Sequence, residues 1–187
     1  MEKSLHTRRA LIAGIAATGA TGILAAPAQA GPGDREAAPA QAGPGDRETR
    51  NKRRLTDVFR DAAERGTLNR DNDFYREILH PDVVWTVASA TPSTYRDRAD
   101  FLARGAAPIL QRLATPIYPR LRSLYADGDT VVTVFDGTAT ALDGVPYRNT
   151  YSWIFTMRGR QAIRVEAFLD LVALHELLDR VPPAGSR

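Results

Sequence analysis

The second half of this chain is a series of four β-rich runs with a turn signal between each run and the next. The runs cover residues 117–125, 130–142, 147–157 and 161–170. The turn signals are Asp127-Gly128, Asp143-Gly144 and Gly159. Such pairs between apolar runs are strong indicators of tight hairpins. The sequence therefore predicts a four-strand antiparallel meander.

Helical patterns precede the meander. Apolar residues recur at helical spacing over 51–66, 70–79 and 97–113, and a β-rich stretch at 83–88 is inserted before the last of them. Residues 171–178 add a short terminal helix. This order predicts an α+β fold, in which a curved antiparallel sheet has three N-terminal helices gathered on one side.

Turn lengths determine which side chains share a face of the meander. Two-residue loops at 143–144 and 159–160 would bring polar and aromatic side chains of three strands onto one surface. That surface would carry Asp136, Thr138, Asn149, Tyr151, Trp153, Phe168 and Asp170. A two-residue loop at 127–128 would place Arg120 and Arg122 on the opposite face.

Residues 1–30 have the charge and length pattern of a signal peptide. Arg8-Arg9 precedes an uncharged apolar stretch, and Ala28-Gln29-Ala30 supplies a small-x-small cleavage pattern. The arginine pair resembles a twin-arginine export signal. We therefore expect a secreted or extracytoplasmic protein. A stable membrane anchor is the alternative, but the apolar run is short for a membrane span.

A duplication follows this segment. Residues 25–36 and 37–48 both read AAPAQAGPGDRE, so the cleavage pattern is repeated at Ala40-Gln41-Ala42. Alanine, proline, glycine and charge cannot bury enough apolar surface to fold. We expect a disordered linker at 31–50, a folded domain at 51–181 and a tail at 182–187.

Composition narrows the chemistry further. The chain has no cysteine, which excludes disulfides and thiolate chemistry, and its three histidines are too scattered to indicate a metal site. Without residues 1–30 there are 22 basic and 21 acidic residues, and this near balance does not favour a nucleic-acid partner.

Two stretches carry a family resemblance. Residues 144–155 (GVPYRNTYSWIF) and 165–174 (VEAFLDLVAL) are similar to the SnoaL-like branch of the nuclear-transport-factor-2-like superfamily, as are 81–85 (PDVVW) and 95–98 (YRDR). The resemblance covers about residues 52–180. It implies a cone, in which a strongly bent sheet wraps around helices and encloses a cavity. Members include polyketide cyclases, ketosteroid isomerases, limonene-epoxide hydrolases and non-catalytic binding domains.

The resemblance assigns catalytic roles to two carboxylates. Asp170 matches the general acid or base of the cyclases and epoxide hydrolases, and Asp136 matches the second pocket carboxylate of the epoxide hydrolases. Val134 stands where those hydrolases hold an arginine, which argues against plain epoxide hydrolysis. The alternatives are that Asp170 caps the terminal helix and that Asp136 lies in solvent.

The other candidate residues would hold the substrate. Asn149 and Tyr151 could orient a substrate oxygen or a water. The expected apolar wall of the site consists of Trp85, Trp153 and Phe168. Tyr95 is either a proton donor or a core aromatic residue. The roles of His175, at the cavity mouth or on the surface, and of Glu166 stay open.

These residues predict an exported acid–base enzyme that acts on a small, mostly apolar molecule. The reaction would be isomerisation, cyclisation or epoxide opening, with no metal or organic cofactor. The alternative is a non-catalytic ligand-binding or dimerisation domain of the same fold. The opposite sheet face should form a two-fold homodimer with Phe135 and Ile154 near its centre, because that face is too apolar for water.

Overall fold

The computed structural model describes residues 43–67 and 74–185. The predicted signal peptide and most of the predicted linker lie outside these residues, so export stays a prediction. Within the described part of the chain, no helix is long and apolar enough to cross a membrane.

The described residues form an α+β fold, as expected. Its helices are α1 (Pro44–Arg65), α2 (Phe74–Ile78), α3 (Arg98–Asp100), α4 (Ala107–Leu110) and α5 (Leu171–Arg180), with a π-helical segment (Phe101–Ala106) joining α3 to α4. Its strands are β1 (Leu79–Val87), β2 (Ser93–Tyr95), β3 (Tyr118–Asp127), β4 (Thr130–Thr140), β5 (Pro146–Arg158) and β6 (Gln161–Leu169). One long N-terminal helix and several short ones therefore replace the three helices that the sequence predicts.

The six strands form one sheet in the order β2-β1-β6-β5-β4-β3. The meander β3 to β6 is antiparallel as expected, but β1 pairs in parallel with β6, so the expectation of a purely antiparallel sheet is wrong. Parallel neighbours need a long connection, and here strands β2 to β5 and the helices between them separate the two strands along the chain. The three-residue strand β2 is too short for its pattern to be recognised.

Helix α1 begins at Pro44, inside the segment for which the sequence predicts a disordered linker up to residue 50. Proline is favourable at the start of a helix because its missing N–H would be unpaired there anyway. The early turns are also held by the β3–β4 turn. The Gly128 N–H donates to Glu48 Oε1 at 3.1 Å, and Asn51 donates to the Gly128 carbonyl at 3.3 Å. These contacts between distant residues are invisible in the local composition.

The core lies between α1, α2 and one face of the sheet. The predicted apolar face of α1 is buried, and Phe59 makes edge contacts with Phe74 (5.3 Å between ring centroids) and Phe135 (4.9 Å). A second buried cluster lies under α5 and includes Ile117, Ala139, Ala141, Tyr147, Leu177 and Val181. The two clusters together fix the sheet face on which the site is built.

The β4–β5 register differs from the prediction by one residue. The loop has three residues, because Ala141 N–H donates to the Val145 carbonyl at 3.0 Å and Gly144 adopts a positive φ of 83°. Asp136 therefore lies opposite Thr150 rather than Tyr151. A one-residue slip moves a side chain to the other face.

Bulges shift the other two hairpins. The turn at 159–160 has the expected two residues, but an extra residue at Ile163 changes the β5–β6 pairing beyond it, so that Trp153 lies opposite Ala167. Arg122 is the extra residue in the β3–β4 pair, and Arg120 lies directly opposite Asp136. The prediction that these arginines and Asp136 occupy opposite faces is therefore wrong.

Candidate functional site

A pocket of about 480 Å³ opens between the inner sheet face, the π-helical segment and the start of α5. Four of the six predicted substrate-binding residues line it, namely Trp85, Tyr95, Tyr151 and Trp153. Small polar side chains of the β1–β2 loop, such as Ser89 and Thr91, border it as well. None of the described residues that line the pocket is Asp, Glu, Lys or Arg.

Stacked aromatic rings form the walls of this pocket. The Trp85 ring stacks on Phe101, with centroids 4.0 Å apart and an interplanar angle of 18°. The Phe135 ring stacks on Tyr151 at 4.8 Å and 11°. Trp153 meets Trp85 edge to face at 4.9 Å. Rings locked by mutual packing keep flat walls in place, which suits a planar apolar ligand.

Trp85 lines the pocket and carries a buried N–H group. Its side chain is 2% exposed, and Nε1 has no hydrogen-bond partner among residues 43–67 and 74–185. A buried donor without an acceptor is costly. The indole N–H can only donate, so only an acceptor atom would satisfy it.

Helix α5 supplies the histidine among the described residues that line the pocket. Leu171, Leu174 and His175 fall on one face of the helix by their three- and four-residue spacing, and all three line the pocket. His175 is exposed at the same time, so it can exchange protons with water while it borders the apolar space. The sequence left the role of His175 open between the cavity mouth and the surface. The structure places it at the pocket wall.

Asp170 caps the same helix. Its Oδ1 accepts hydrogen bonds from the N–H groups of Val172 at 2.9 Å and Ala173 at 3.2 Å. The side chain is exposed and does not line the aromatic pocket. This geometry matches the capping alternative that the sequence left open.

Asp136 lies on the outer face of the sheet, contrary to the predicted register. Its carboxylate accepts hydrogen bonds from Arg120 at 2.7 Å, Thr150 at 3.2 Å and Arg122 at 3.4 Å. The hydrogen bond from Arg120, more than any other contact, holds the pKa of Asp136 below its ordinary value. Because its pKa is lowered, this carboxylate is a poor proton acceptor near neutral pH.

The two predicted catalytic carboxylates border a separate outer groove. Asp136 and Asp170 both line this groove, which has a volume of about 440 Å³ and also contains Arg120 and Arg148. The prediction that one apolar cavity surrounds both aspartates is therefore wrong. Phe168 and Glu166 also lie on the outer face, because the Ile163 bulge turns them away from the pocket.

A hydrogen-bonded network of three β5 residues lies behind the pocket. Asn149 donates to the Tyr147 hydroxyl at 3.0 Å, and the hydroxyl oxygens of Tyr147 and Tyr151 are 3.2 Å apart. Burial raises the pKa of Tyr147 and raises that of Tyr151 well above its ordinary value, so both phenols keep their protons. Tyr147 was not among the predicted site residues, although residues 147, 149 and 151 alternate as one strand face requires.

Comparisons with known proteins agree with this architecture. A family model described as SnoaL-like domain matches residues 53–165. No curated protein matches the chain. Among solved structures, a candidate SnoaL-like polyketide cyclase from Jannaschia sp. CCS1 is 19% identical with a TM-score of 0.56, covering 76% of this chain and 99% of that one.

Two further structures share the fold. A nuclear-transport-factor-2-like protein of unknown function from Burkholderia pseudomallei K96243 is 17% identical, with a TM-score of 0.54 and coverage of 68% of this chain and 96% of that one. A candidate isomerase from Bacillus subtilis is 14% identical, with a TM-score of 0.52 and coverage of 70% and 94%. The chain belongs to the SnoaL-like domain family.

Proposed function

We propose that this protein is an enzyme that binds a small, mostly apolar, ring-containing molecule in the aromatic pocket and isomerises or cyclises it by proton transfer. The observation that carries the proposal is the pocket itself. Its volume of about 480 Å³ falls within the range of about 300–1,000 Å³ typical of small-molecule sites. Aromatic rings wall it, and polar groups at its margin are few.

His175 is the residue we assign to proton transfer. Histidine is the most frequent general acid or base in enzymes, and His175 combines a place at the pocket wall with access to water. Tyr95 and Tyr151 line the same space and carry hydroxyl groups that can donate hydrogen bonds. A proton can thus leave a bound substrate toward His175 while a donor stabilises the charge that develops.

The names of two relatives support this reaction class. The structures from Jannaschia and Bacillus subtilis are named as a candidate polyketide cyclase and a candidate isomerase. Enolisation next to a carbonyl group is a common first step of both isomerisation and aldol-type cyclisation. Epoxide opening by paired carboxylates receives less support, because Asp136 and Asp170 border the outer groove.

Hydrogen–deuterium exchange at carbon tests the proposal without knowledge of the natural substrate. The bicyclic ketone 1-tetralone is incubated with the protein in D₂O, and deuterium uptake beside the carbonyl is followed by mass spectrometry. We expect exchange above the buffer rate, and a loss of about a hundredfold in His175→Gln. The matched control is His80→Gln, because His80 lies outside the pocket and its Nδ1 accepts from the Asp82 N–H.

A specific observation favours a second candidate function, a non-catalytic binding domain. The described residues that line the pocket include no carboxylate, whereas the family resemblance led us to expect one. The same experiment separates the two functions. A binder would hold 1-tetralone without accelerating exchange, and His175→Gln would then change neither binding nor exchange.

A further inference from the structure

The side-chain orientation of Asn149 is fixed by the backbone of a single residue. The Asp170 N–H donates to Asn149 Oδ1 at 2.9 Å, and Asn149 Nδ2 donates to the Asp170 carbonyl at 2.9 Å. A backbone N–H can only donate, so these two bonds identify the oxygen and the nitrogen of the amide. The second N–H of the amide must therefore point to the Tyr147 hydroxyl, which is 3.0 Å away.

This orientation determines the direction of the next hydrogen bond. The Tyr147 oxygen accepts from Asn149, so its own proton needs an acceptor. The Tyr151 oxygen, 3.2 Å away, is the acceptor that the structure offers to Tyr147. In the reverse arrangement the Tyr147 proton would be buried without a partner in the cluster under α5, where Tyr147 is 3% exposed. Burying an unpaired donor is unfavourable, so Tyr147 donates to Tyr151.

The chain of donors ends at the pocket. Tyr151 accepts from Tyr147, and its own proton has no further partner among the described residues. Tyr151 is 6% exposed and lines the aromatic pocket. Phe135 stacks on its ring at 4.8 Å and fixes the ring plane, in which a phenolic O–H bond lies. A buried, oriented hydroxyl with a free proton is a donor prepared for a ligand atom.

We propose that Asn149 and Tyr147 act as positioning residues that commit the Tyr151 hydroxyl to donate to a carbonyl or enolate oxygen of the bound molecule. This inference rests on the proposed function, since it names the polar group that the pocket's ligand carries. It predicts that the pocket distinguishes a ring ketone from the corresponding hydrocarbon. Because Tyr147 occupies the acceptor side of the Tyr151 oxygen and leaves the Tyr151 proton free for the ligand, Tyr147 should strengthen that distinction.

Calorimetric titration with a matched pair of probes tests the inference. The probes are 1-tetralone and tetralin, which share a ring system and differ by the carbonyl oxygen. We expect wild type to bind the ketone more tightly, and Tyr151→Phe to reduce that preference about three- to tenfold while tetralin affinity stays unchanged. Tyr147→Phe should remove part of the preference. Tyr125→Phe is the control, because Tyr125 is 63% exposed and does not line the pocket.

The outcomes separate the inference from the proposed function. If wild type binds neither probe, the pocket does not take small apolar molecules, and the proposed function falls together with the inference. If both probes bind and Tyr151→Phe keeps the ketone preference, the proposed function stands and the inference is overturned. If Tyr147→Phe weakens both probes equally, Tyr147 has only a packing role. Should Tyr151→Phe fail to fold by circular dichroism, Tyr147→Phe alone decides, by losing or keeping the preference.

Discussion

At the scale of single residues, burial and existing hydrogen-bond partners decide which polar groups are available for chemistry. Asp136 is engaged by arginines on the outer face, and Asp170 is engaged by the first N–H groups of α5. Tyr147 and Tyr151 are buried, and desolvation favours their neutral forms. His175 borders the pocket while it remains exposed. Proton transfer is therefore best assigned to the α5 histidine, with the phenols as donors.

The raised tyrosine pKa values predict a loss of stability in alkali. A phenol whose pKa is higher in the folded protein than in the unfolded chain contributes fully below the unfolded value of about 10, and loses that contribution as the pH rises through the folded value. We expect the thermal midpoint to fall above about pH 10 in wild type, and to fall less in Tyr151→Phe. Tyr125→Phe should follow wild type, and parallel declines in all three proteins would contradict this prediction.

The cap of α5 predicts a graded effect of two substitutions at Asp170. Alanine removes the acceptor for the Val172 and Ala173 N–H groups, so Asp170→Ala should lose about 1 kcal/mol of unfolding free energy in urea titrations. Asparagine retains an acceptor oxygen, and Asp170→Asn should lose only a few tenths of a kcal/mol, about the difference between good caps. Equal losses in both variants would show that the charge, rather than the cap, stabilises this end of the molecule.

At the scale of elements, local patterns predict strands and turns better than they predict register. The four runs of the meander and the two-residue turn at 159–160 are visible in the sequence. The sequence does not show that the β4–β5 loop has a third residue, or that Arg122 and Ile163 are extra residues in their strands. A bulge depends on what the strand packs against, which the local sequence does not contain. Each of these single residues moves the side chains of the adjoining strand to the opposite face of the sheet. Asp136 and Phe168 therefore lie outside the expected site.

Gly137 shows how closely β4 approaches the site. A Cβ atom at this position would lie 2.8 Å from Tyr151 Cε2 and 2.9 Å from Ile117 Cγ2. The Tyr151 ring cannot yield toward Phe135, against which it is stacked. We expect Gly137→Ala to cost about 1–3 kcal/mol of stability and to weaken 1-tetralone binding by displacing the ring into the pocket.

Thr138→Ala is the matched control for this substitution, since Thr138 is the next residue of β4 and is exposed on the outer face. Both variants are compared with wild type by urea titration and calorimetry. An unchanged ketone affinity in a destabilised Gly137→Ala protein would show that the Tyr151 ring position does not control binding.

At the scale of the whole molecule, the sheet divides an inner pocket from an outer face. The predicted dimer centre at Phe135 is wrong, because Phe135 is 3% exposed and belongs to the core of the chain. The outer face nevertheless carries an apolar area across three strands, interrupted by Ser152. Val132 pairs directly with Ile154, and Val134 and Phe168 both pair with Ser152. We therefore retain the proposal of a two-fold homodimer with this corrected centre.

A charge placed in that area should separate the protomers. Phe168 is 43% exposed, so Phe168→Glu adds a charge without disturbing the core, and we expect light scattering at micromolar concentration to change from dimer to monomer. Val172→Glu is the control, because Val172 is 68% exposed on α5, away from the sheet. A monomeric wild type would rule out the dimer.

Aromatic site residues were easier to predict than charged ones. Trp85, Trp153 and Tyr151 line the pocket as the sequence suggested, since large rings between strands and helices are buried whatever the register of a neighbouring hairpin. The face on which a strand carboxylate lies depends on the register of one hairpin. Whether His175 faces the pocket depends on the rotation of the short helix α5 about its axis. Fold and apolar walls were therefore accessible from the sequence, whereas the polar chemistry required the structure.

We propose that chemistry occurs in the aromatic pocket and not in the outer groove. The most direct measurement compares deuterium exchange into 1-tetralone by His175→Gln with exchange by the double variant Asp136→Asn/Asp170→Asn. We predict that the double variant stays within about twofold of wild type and that His175→Gln loses about a hundredfold. Loss of exchange in the double variant with retention in His175→Gln would contradict the claim and return catalysis to the two aspartates.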